Sequence, residues 1–425
     1  MSLCVCTIVS ANYLAYAAVL AASVRQHHPD GHFEVLVVDR PTLAVQEALA
    51  KTGLKARFAQ DLGLPDFEQL AYQFDILELN TALKPSFLKQ LLREGHEQLV
   101  YLDPDIRCYA PLTPVLEGLQ RQDVLLTPHA LRPVLDGHRP SDIDFLRNGV
   151  HNLGFVALRQ SACADALLDW WESRCLSHGF NDPAFGVFVD QKWMDLAPAC
   201  FEGVGLLRHP GCNVAYWNLH ERQLTQEAGQ GPVQVNGQGL FFFHFSGIDV
   251  GDTSVLSRHQ TRHSLAQLPL VQRLLEDYVQ ALREAGHLSL RSLPYGFGTL
   301  DDGTPIHGLM RRALPAMGPQ AQCTARPFAA TSAFQQALRK AGLHGIPVGG
   351  AVHTRNLHMQ GRRLTLANAL IRGLARVMGL GRLQMLLRYA AFLSRESHLP
   401  AVLLRRPFQM DHRGREEAAQ GRHRS

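Results

Sequence analysis

The sequence lacks the features that mark several other classes of protein. Its eight cysteines include no Cys-x-x-Cys pair, which argues against a zinc ribbon or a thioredoxin-like redox site. It has no run of 18 uncharged apolar residues, so we expect no membrane-spanning helix. No basic segment precedes an apolar stretch at the start, where Met1 leads almost directly into a predicted strand. We therefore expect no signal peptide and a reducing, cytoplasmic environment.

A strong net charge is also missing. The formal net charge is +4 over 425 residues, so we expect no nucleic-acid partner. The charge is nevertheless uneven, because residues 355–425 contain 14 Arg, no Lys and 4 acidic residues. This segment carries a formal charge of +10 and leaves −6 for the rest of the chain. The sequence thus combines a neutral-to-acidic body with a basic tail.

Apolar runs alternate with helical segments along the first part of the chain. Residues 3–9 are a continuous apolar run, and residues 33–39 form a second run typical of strands buried on both faces. Further strands are predicted at 98–102, 123–128 and 153–158. Helices are predicted at 13–24, 42–52, 112–120, 161–177 and 186–196, and over 66–93 with a break at Lys84-Pro85. This order predicts an α/β fold with a parallel sheet.

The α/β pattern weakens in the second half of the chain, which gives three predicted regions. Residues 1–250 form the α/β domain, and residues 251–350 form a helical and loop extension with one amphipathic helix at 265–286. Residues 351–425 form a basic helical tail that contains a strong helix at 364–393. The last fifteen residues are polar and Arg-rich, and we expect them to be disordered.

An Asp-x-Asp motif, Asp103-Pro104-Asp105, directly follows the strand predicted at 98–102. Residues i and i+2 of an extended chain face the same side, with Cα atoms roughly 6–7 Å apart, so both carboxylates can reach one hard cation. A divalent cation held there would neutralise a diphosphate leaving group as its bond to a sugar breaks. The alternative is a solvated turn that begins at an Asp-Pro pair.

The segment YLDPDIRCYAPL at 101–112 resembles the Asp-x-Asp region of glycosyltransferases with the GT-A fold, especially those of the retaining family 8 type. Other segments resemble the same family in the same order, at 6–30, 33–39, 79–92, 151–159, 190–193 and 242–247. The resemblance implies a nucleotide-diphospho-sugar transferase fold, with a mixed, mainly parallel sheet flanked by helices. In this chain a helical C-terminal region would follow it.

The resemblance implies that Asp103 and Asp105 are metal ligands and that His244 is the third protein ligand. Two carboxylates with one imidazole suit Mn²⁺ better than Mg²⁺. Mn²⁺, or else Mg²⁺, is therefore the expected cofactor, with a nucleoside-diphosphate sugar as co-substrate. The alternative for His244 is a histidine at a strand end whose hydrogen bonds are satisfied by the protein.

The resemblance also places the nucleotide of the donor. The residues that it implies for this role are Thr7, Ser10, Asn12, Tyr13, Asp39, Ser246 and Gly247. Tyr13 would stack on a pyrimidine, and Asp39 would accept a hydrogen bond from the base or a ribose hydroxyl. Backbone N–H groups of Ser246 and Gly247 would face the diphosphate. The alternatives are a helix N-cap at Asn12, with Tyr13 packed beside it, and a strand-end cap at Asp39.

The sugar of the donor would meet a second group of residues. Lys84 would contact phosphate or sugar, although a solvated helical lysine is the alternative. Asn152 and Gly154 would touch the sugar, because glycine lets the backbone approach closely. Asp190 and Gln191 would lie near the anomeric carbon, where Asp190 would offset developing positive charge. We favour retention, but Asp190 is also the candidate base for inversion, so both outcomes stay open.

The chain departs from the family pattern after Gly247, because the lysine that many family 8 members place near the diphosphate is missing. Arg258 and Arg262 are the candidate replacements. The mixed polar and aromatic segment at 213–222 supplies three candidate acceptor contacts, Asn213, Trp217 and His220. The alternative for this segment is a core strand with its aromatic side chains buried.

These observations predict a metal-dependent glycosyltransferase that moves a sugar, UDP-linked in our preferred interpretation, to a carbohydrate, lipid-linked or protein-linked acceptor. A sugar nucleotidyltransferase is the first alternative. It typically needs a Gly-rich, basic loop after the first strand, whereas residues 10–13 contain neither Gly nor Lys. A non-catalytic, membrane-associated protein that retains the fold is the second alternative.

The helix predicted at 364–393 has an apolar face and arginines at positions 372, 376, 382 and 388. A basic amphipathic helix of this kind can lie on an anionic membrane. Such a placement would bring the protein to the inner face of the membrane, beside a lipid-linked acceptor. The alternative is a domain-closing or oligomerising helix whose arginines are solvated.

Overall fold

The structure, a computed structural model, divides into two compact units. It describes residues 3–227, 231–317, 326–344, 361–395 and 398–404. The first unit, here called the sheet unit, comprises Met1–Leu64 and Ile76–Gly296. The second, here called the helical unit, comprises Pro65–Asp75 and Phe297–Ser425. The domain boundaries placed after residues 250 and 350 by the sequence stay predictions.

The sheet unit is built around seven strands. The strands of the described chain are β1 Leu3–Val9, β2 His32–Val37, β3 Ala56–Phe58, β4 Gln98–Leu102, β5 Ile106–Cys108, β6 Val124–Pro128, β7 His151–Arg159, β8 Asn181–Asp182, β9 Val187–Phe188, β10 Val204–Leu206, β11 Leu224–Thr225, β12 Gln234–Val235, β13 Gln238–Gly239 and β14 Phe242–His244. The main sheet has the order β10-β6-β7-β4-β1-β2-β3. Only β7 runs antiparallel to its neighbours in this sheet.

Helices follow or separate most of these strands. Those of the described chain are α1 Leu14–His27, α2 Leu43–Thr52, α3 Phe67–Gln73, α4 Ile76–Ala82, α5 Lys84–Arg93, α6 Thr113–Leu119, α7 Asp142–Asn148, α8 Ala162–His178, α9 Ala197–Cys200, α10 Pro269–Glu284, α11 His287–Leu290, α12 Gly308–Ala313, α13 Ala333–Lys340, α14 Gly361–Met378, α15 Leu380–Leu393 and α16 Leu399–Leu403. The predicted mixed, mainly parallel sheet flanked by helices, with a helical C-terminal region, is confirmed.

The direction of the strands gathers polar side chains at one edge of the sheet. Strands β1, β2 and β4 are parallel, so their carboxyl ends meet at that edge. Every residue of β4 is buried, as expected for a strand covered on both faces. The residues that follow these three strands are Ser10, Asp39 and Asp103. The fold therefore brings the polar residues at 10, 39 and 103 to one edge.

A short antiparallel pair, β5 with β14, brings a distant segment to the same edge. His244 of β14 is opposite Ile106 of β5, and Phe242 is opposite Cys108. The backbone N–H of Phe245 also donates to the carbonyl oxygen of Asp105 at 2.9 Å. This pairing places His244 beside the Asp-x-Asp turn, although the two are far apart in the sequence.

Helix α8 shows how local sequence supports the edge. Ser161 caps the helix by accepting a hydrogen bond from the backbone N–H of Ala164 at 3.1 Å. Leu168, Trp171 and Cys175 are buried at helical spacing and form its inner face. The indole N–H of Trp171 then donates to the carbonyl oxygen of Asp190 at 2.9 Å. A core helix thus fixes the backbone of a predicted site residue.

One helix prediction is wrong, and another covers two helices instead of one. The segment 186–196 contains strand β9 and a 3-10 helix at Lys192–Asp195, because the backbone takes positive φ at Gly186 and Val189 and cannot form a continuous α-helix there. The helix predicted at 364–393 is divided into α14 and α15 at Gly379, where φ is +79°. The predicted disorder of the last fifteen residues lies outside the described residues.

The helical unit contains a buried arginine that ties its two sequence segments together. The Nη1 atom of Arg311 donates to the carbonyl oxygens of Ala71, Tyr72 and Phe74 at 3.3, 2.9 and 2.8 Å. Its Nη2 atom donates to the carbonyl oxygen of Phe297 at 2.8 Å. The guanidinium therefore satisfies the carbonyl groups at and beyond the end of α3, which have no partner within that helix. Among the described helices, none is long and apolar enough to cross a membrane.

We expect the Arg311→Met substitution to lower the free energy of unfolding of the helical unit by about 3 kcal/mol. The loss follows because hydrogen bonds to a charged group contribute about 1.5–3 kcal/mol each, with less than full additivity. Urea denaturation followed by circular dichroism measures it. The control is Arg326→Met in the same unit, because the side chain of Arg326 is exposed. Equal stability of the two variants would contradict this prediction.

Candidate functional site

Two carboxylates and an imidazole converge at the end of β4. The Nε2 atom of His244 lies 2.9 Å from Oδ1 of Asp105 and 4.0 Å from Oδ2 of Asp103. One ligand atom from each of the three side chains lies within 4.8 Å of the others. The imidazole is buried, whereas the carboxylate side chains of Asp103 and Asp105 are 32% and 20% exposed. The cluster therefore opens toward solvent on its acidic side.

The pKa of His244 reflects the negative charge of the two neighbouring carboxylates. Burial by itself lowers the pKa of His244, but the carboxylates of Asp105 and Asp103 outweigh burial and raise this pKa above its ordinary value. The three side chains could hold a metal ion through one nitrogen and two oxygen ligands.

Gly154 of β7 lies directly against the side chains of this cluster. A Cβ atom at this position would lie 2.4 Å from Cε1 of His244 and 2.9 Å from Oδ2 of Asp103. Any larger residue would therefore push directly into the cluster. A set of one nitrogen and two oxygen ligands fits a divalent metal such as Mn²⁺. The predicted ligands Asp103, Asp105 and His244 are thus brought together.

A buried ion pair lies next to the cluster. The ammonium group of Lys84 is 2.7 Å from Oδ2 of Asp190, and both side chains are only 2% exposed. The same Nζ atom donates to the carbonyl oxygen of Leu153 at 2.8 Å and lies 4.0 Å from Oδ1 of Asp103. The alternative of a solvated helical lysine is therefore wrong.

The charge of Lys84 is maintained by its neighbours. Burial lowers the pKa of Lys84, but Asp190 and Asp103 outweigh burial and raise it above the ordinary value. Burying both members of an ion pair costs desolvation energy that their attraction often fails to recover. Such a pair beside a cluster of carboxylates is therefore a candidate for a role in chemistry rather than in stability.

Gln191 and Asn152 are engaged by the protein itself. The amide of Gln191 accepts from the backbone N–H of Leu153 at 3.1 Å and donates to the carbonyl oxygen of Asn148 at 2.9 Å. The carbonyl oxygen of the Asn152 side chain accepts from Nδ2 of Asn213 at 3.0 Å. These amides support the shape of the edge in this structure, and any contact with a sugar stays a prediction.

A neutral histidine completes the network around Asn152. Burial lowers the pKa of His129 to about 3, so its imidazole is uncharged at neutral pH. Its Nε2 atom lies 3.3 Å from Nδ2 of Asn152. Trp217 packs edge-on against both His129 and His244, with ring centroids 5.3 and 5.0 Å away. The sequence predicted Trp217 as an acceptor contact. Its side chain is buried, as expected from the alternative in which the aromatic side chains of this segment belong to the core.

The other two candidate acceptor contacts, Asn213 and His220, differ in burial. Asn213 is fully buried with φ at +53°, and its Nδ2 atom donates to Oγ1 of Thr127 at 2.7 Å. A non-glycine residue held in this region of φ is strained and is kept there by its surroundings. His220 is partly buried. Asn213 therefore supports the network behind the site, and neither residue's contact with an acceptor is tested.

The residues at the end of β1 surround a turn of 3-10 helix at Ala11–Tyr13. Asn12 lies inside this turn, so the alternative of an N-cap role for it is wrong. Tyr13 is 39% exposed and stacks on Tyr16 with ring centroids 4.6 Å apart. The Oγ1 atom of Thr7 is buried and has no hydrogen-bond partner within the part of the chain that the structure describes.

Two further predicted contacts are occupied by the protein. Ser10 accepts from Nδ2 of Asn80 at 3.4 Å. Asp39 is 2% exposed, and its carboxylate accepts from the backbone N–H groups of Gly296, Arg40 and Ala11 at 2.7, 2.9 and 3.3 Å. This geometry matches the strand-end cap alternative for Asp39.

The loop after β14 is held by the segment that follows it. Gly247 has φ at +73°, and a Cβ atom there would lie 2.3 Å from Cδ2 of His259. The backbone N–H of Arg258 donates to the carbonyl oxygen of Gly247 at 3.1 Å. Arg262 is paired with Asp136 at 2.7 Å, whereas the side chain of Arg258 is exposed. Ser246 is partly buried in the same loop.

Comparison with known proteins gives distant relatives. No protein-family model matches the chain. The uncharacterized protein YfnF of Bacillus subtilis (strain 168) is 27% identical over 303 residues, which cover 70% of this chain and 98% of YfnF. The uncharacterized protein YfnD of the same strain is 23% identical over 245 residues, covering 57% and 76% of the two chains.

Two solved structures illustrate the structural likeness. Galactosyltransferase LgtC in complex with donor and acceptor sugar analogs has a TM-score of 0.39 and 17% identity, covering 68% of this chain and 97% of LgtC. Mouse xyloside xylosyltransferase 1 in its apo form has a TM-score of 0.36 and 14% identity, covering 58% and 98% of the two chains. Because these scores are low, what the site can bind is inferred from its own geometry.

We expect the Gly154→Ala substitution to weaken Mn²⁺ binding by about 10–100-fold while the sheet unit stays folded. The added methyl group would displace the imidazole of His244 or the carboxylate of Asp103, and groups that orient metal ligands have effects of this size. Thermal unfolding with increasing Mn²⁺ measures binding, because a ligand of the native state raises the melting temperature.

The matched control is Gly239→Ala, because a Cβ atom there meets only ordinary contacts of 3.7 and 3.8 Å with Phe241. This variant should retain the parent's response to Mn²⁺. If Gly154→Ala also retains the response to Mn²⁺, the cluster of Asp103, Asp105 and His244 is not the metal site.

Proposed function

We propose that this chain is a metal-dependent glycosyltransferase that uses a nucleoside-diphosphate sugar, UDP-linked in our preferred interpretation. The observation that carries the proposal is the cluster of Asp103, Asp105 and His244 beside the buried Lys84–Asp190 pair. A cation site for a diphosphate and a charged pocket for a sugar are the two parts that this reaction needs. The resemblance of the Asp-x-Asp segment to the retaining family 8 type of GT-A glycosyltransferase supports the same reaction.

Asp103, Asp105 and His244 would hold the metal, with Mn²⁺ preferred over Mg²⁺. When bound, a divalent cation supplies Lewis-acid stabilisation of the departing diphosphate. The partly exposed carboxylates of Asp103 and Asp105 would present it to the substrate side, while the buried His244 fixes it from behind. Backbone N–H groups of Ser246 and Gly247, with Arg258, would contact the same diphosphate.

Asp190 would act at the sugar end of the donor. Its carboxylate is buried, and a fixed negative charge in such surroundings would stabilise positive charge developing at an anomeric carbon. The ammonium nitrogen of Lys84 lies 2.7 Å from Oδ2 of Asp190. This contact favours the electrostatic role of Asp190 over proton abstraction from an acceptor. We therefore favour retention. Gln191, Asn152 and Gly154 would shape the pocket around the sugar.

The nucleotide would lie along the end of β1. Tyr13 presents an exposed ring that Tyr16 already supports from behind, which suits stacking of a pyrimidine. The unpartnered hydroxyl of Thr7 would bind a polar group of the nucleotide, because a buried hydroxyl without a partner is costly. Ser10 and Asn12 would contact the base or ribose, and Asp39 would hold the turn in place.

The acceptor would be a carbohydrate, free or linked to lipid or protein. A lipid-linked acceptor would agree with a second proposed contact, that of α14 and α15 with an anionic membrane surface. Residues 361–395 contain seven Arg and no acidic residue, so their charge is complementary to anionic lipid. The predicted location at the inner, cytoplasmic face of a membrane remains part of this proposal.

Helix α14 has the exposed apolar face that a membrane contact requires. Leu366, Leu370, Leu374 and Val377 repeat at helical spacing and are 71%, 66%, 42% and 88% exposed. Arg372 projects from another side of the same helix, by its position in the helical repeat. An apolar face with arginines at its flank is typical of helices that lie in a membrane interface.

A sugar nucleotidyltransferase is the principal rival, because it also combines an α/β fold with a metal. Its Gly-rich, basic loop after the first strand has no counterpart here, where residues 10–13 lack Gly and Lys and form a 3-10 turn. Analysis of products separates the two reactions. Release of UDP from a UDP-sugar supports the proposal, and release of pyrophosphate from a nucleoside triphosphate supplied with a sugar 1-phosphate would support the rival.

We expect Asp103→Asn and Asp105→Asn each to reduce Mn²⁺-dependent release of UDP from a UDP-sugar by about 10²–10³-fold, because loss of one charge-stabilising group has effects of this size. Turnover is measured on a panel of UDP-sugars with Mn²⁺ or with EDTA. The control Asp277→Asn should keep the parent rate, because Asp277 is exposed. Absence of metal-dependent turnover in the parent on every UDP-sugar would count against an active enzyme and favour the non-catalytic alternative.

We expect the quadruple change of Arg372, Arg376, Arg382 and Arg388 to Gln to weaken binding to phosphatidylserine-containing vesicles by about 100-fold or more. Each arginine near an anionic surface contributes about 1 kcal/mol. Co-sedimentation with phosphatidylcholine vesicles, with and without phosphatidylserine, measures the effect. The control changes exposed arginines 25, 93, 121 and 147 to Gln. Self-association of the parent without a response to phosphatidylserine would instead indicate an oligomerising surface.

A further inference from the structure

Tyr101 lies between the metal cluster and the buried ion pair. It belongs to β4, two residues before Asp103, so its side chain is on the same face of the strand. It is only 2% exposed. Its hydroxyl donates to Oδ1 of Asp103 at 2.7 Å, within the usual range for a hydroxyl that donates to a carboxylate.

The ring of the same tyrosine contacts the other charged group of the site. The ammonium nitrogen of Lys84 lies 4.3 Å from the centroid of the Tyr101 ring, within the range of a cation–π interaction. This nitrogen also contacts Asp190 at 2.7 Å. Tyr101 therefore holds an anion with its hydroxyl and a cation with its ring at the same time.

The hydroxyl sets the orientation of the Asp103 carboxylate. Oδ1 is engaged by Tyr101 and lies 4.0 Å from the ammonium of Lys84. Oδ2 is then left facing the cluster, 4.0 Å from Nε2 of His244. Without the hydroxyl, Oδ1 would be free to move toward Lys84, because the attraction of opposite charges increases at shorter distance. That rotation would withdraw Oδ2 from the metal position.

We propose that Tyr101 is a positioning residue that links the metal site to the Lys84–Asp190 pair. The inference rests on the proposed function, because it takes Asp103 as a metal ligand. The hydroxyl fixes which oxygen of Asp103 faces the cation, and the ring fixes the ammonium that holds Asp190. One side chain thus supports both the diphosphate end and the sugar end of the site.

The test compares Tyr101→Phe with Tyr101→Leu by electron paramagnetic resonance of free Mn²⁺, without nucleotide. Tyr101→Phe removes the hydroxyl and keeps the ring, so Mn²⁺ affinity should fall by about 10–100-fold with an unchanged melting temperature. Tyr101→Leu also removes the ring, so its Mn²⁺ affinity should fall at least as far. It should in addition weaken binding of UDP-glucose to the Mn²⁺-saturated protein more than Phe does.

The control is Tyr109→Phe, because the hydroxyl of Tyr109 is buried without a hydrogen-bond partner among the described residues. This variant should bind Mn²⁺ like the parent. On an Asp103→Asn background, Tyr101→Phe should cause no further loss of affinity, since the two residues act through one contact. A purely structural role would lower the melting temperature without this non-additivity.

The outcomes separate this inference from the proposed function. If the parent binds Mn²⁺ and releases UDP while Tyr101→Phe binds Mn²⁺ as tightly, the positioning role is overturned and the glycosyltransferase proposal stands. If Tyr101→Phe and Asp103→Asn lower affinity additively, the link between them is overturned. If the parent binds no Mn²⁺, the metal site and the role of Tyr101 fall together.

Discussion

Everything at this edge of the sheet depends on compensating three carboxylates that lie close together. Asp103, Asp105 and Asp190 carry three negative charges, and uncompensated charge in a partly buried site is costly. Lys84 supplies one positive charge, with its ammonium 2.7 Å from Asp190. The proposed divalent cation would supply two more beside Asp103, Asp105 and His244, so that the positive and negative charges of the site would balance.

Compensation on this scale requires groups from distant parts of the chain, and the fold supplies them through backbone pairing. β4 carries the two aspartates, the β5–β14 pair delivers His244, and α8 fixes the backbone at residue 190 through Trp171. Behind the cluster, the buried side chains of His129, Asn152 and Asn213 are linked by hydrogen bonds. Rigid elements thus hold each charged group, which is the condition for electrostatic preorganisation.

The sequence predicted the parts of this site that local pattern determines. The strand at 98–102 and the spacing of Asp103 and Asp105 are local, so both could be predicted with the fold class. The burial of Lys84 could not be predicted, because its partner comes from a segment about a hundred residues later. Tyr101 resembled an ordinary strand aromatic, and only the structure shows its hydroxyl on Asp103. The helix predicted at 186–196 was wrong because residue composition does not reveal positive φ at Val189.

The discontinuity of the helical unit has a consequence for how the chain folds during synthesis. Pro65–Asp75 belongs to a unit whose other residues begin at Phe297, more than two hundred positions later. The ribosome therefore releases the whole sheet unit before α3 can meet the guanidinium of Arg311. A protein shortened to residue 296 would keep α3 and lose the guanidinium of Arg311 that donates to its carbonyl groups. The helical unit therefore cannot be removed by a single cut.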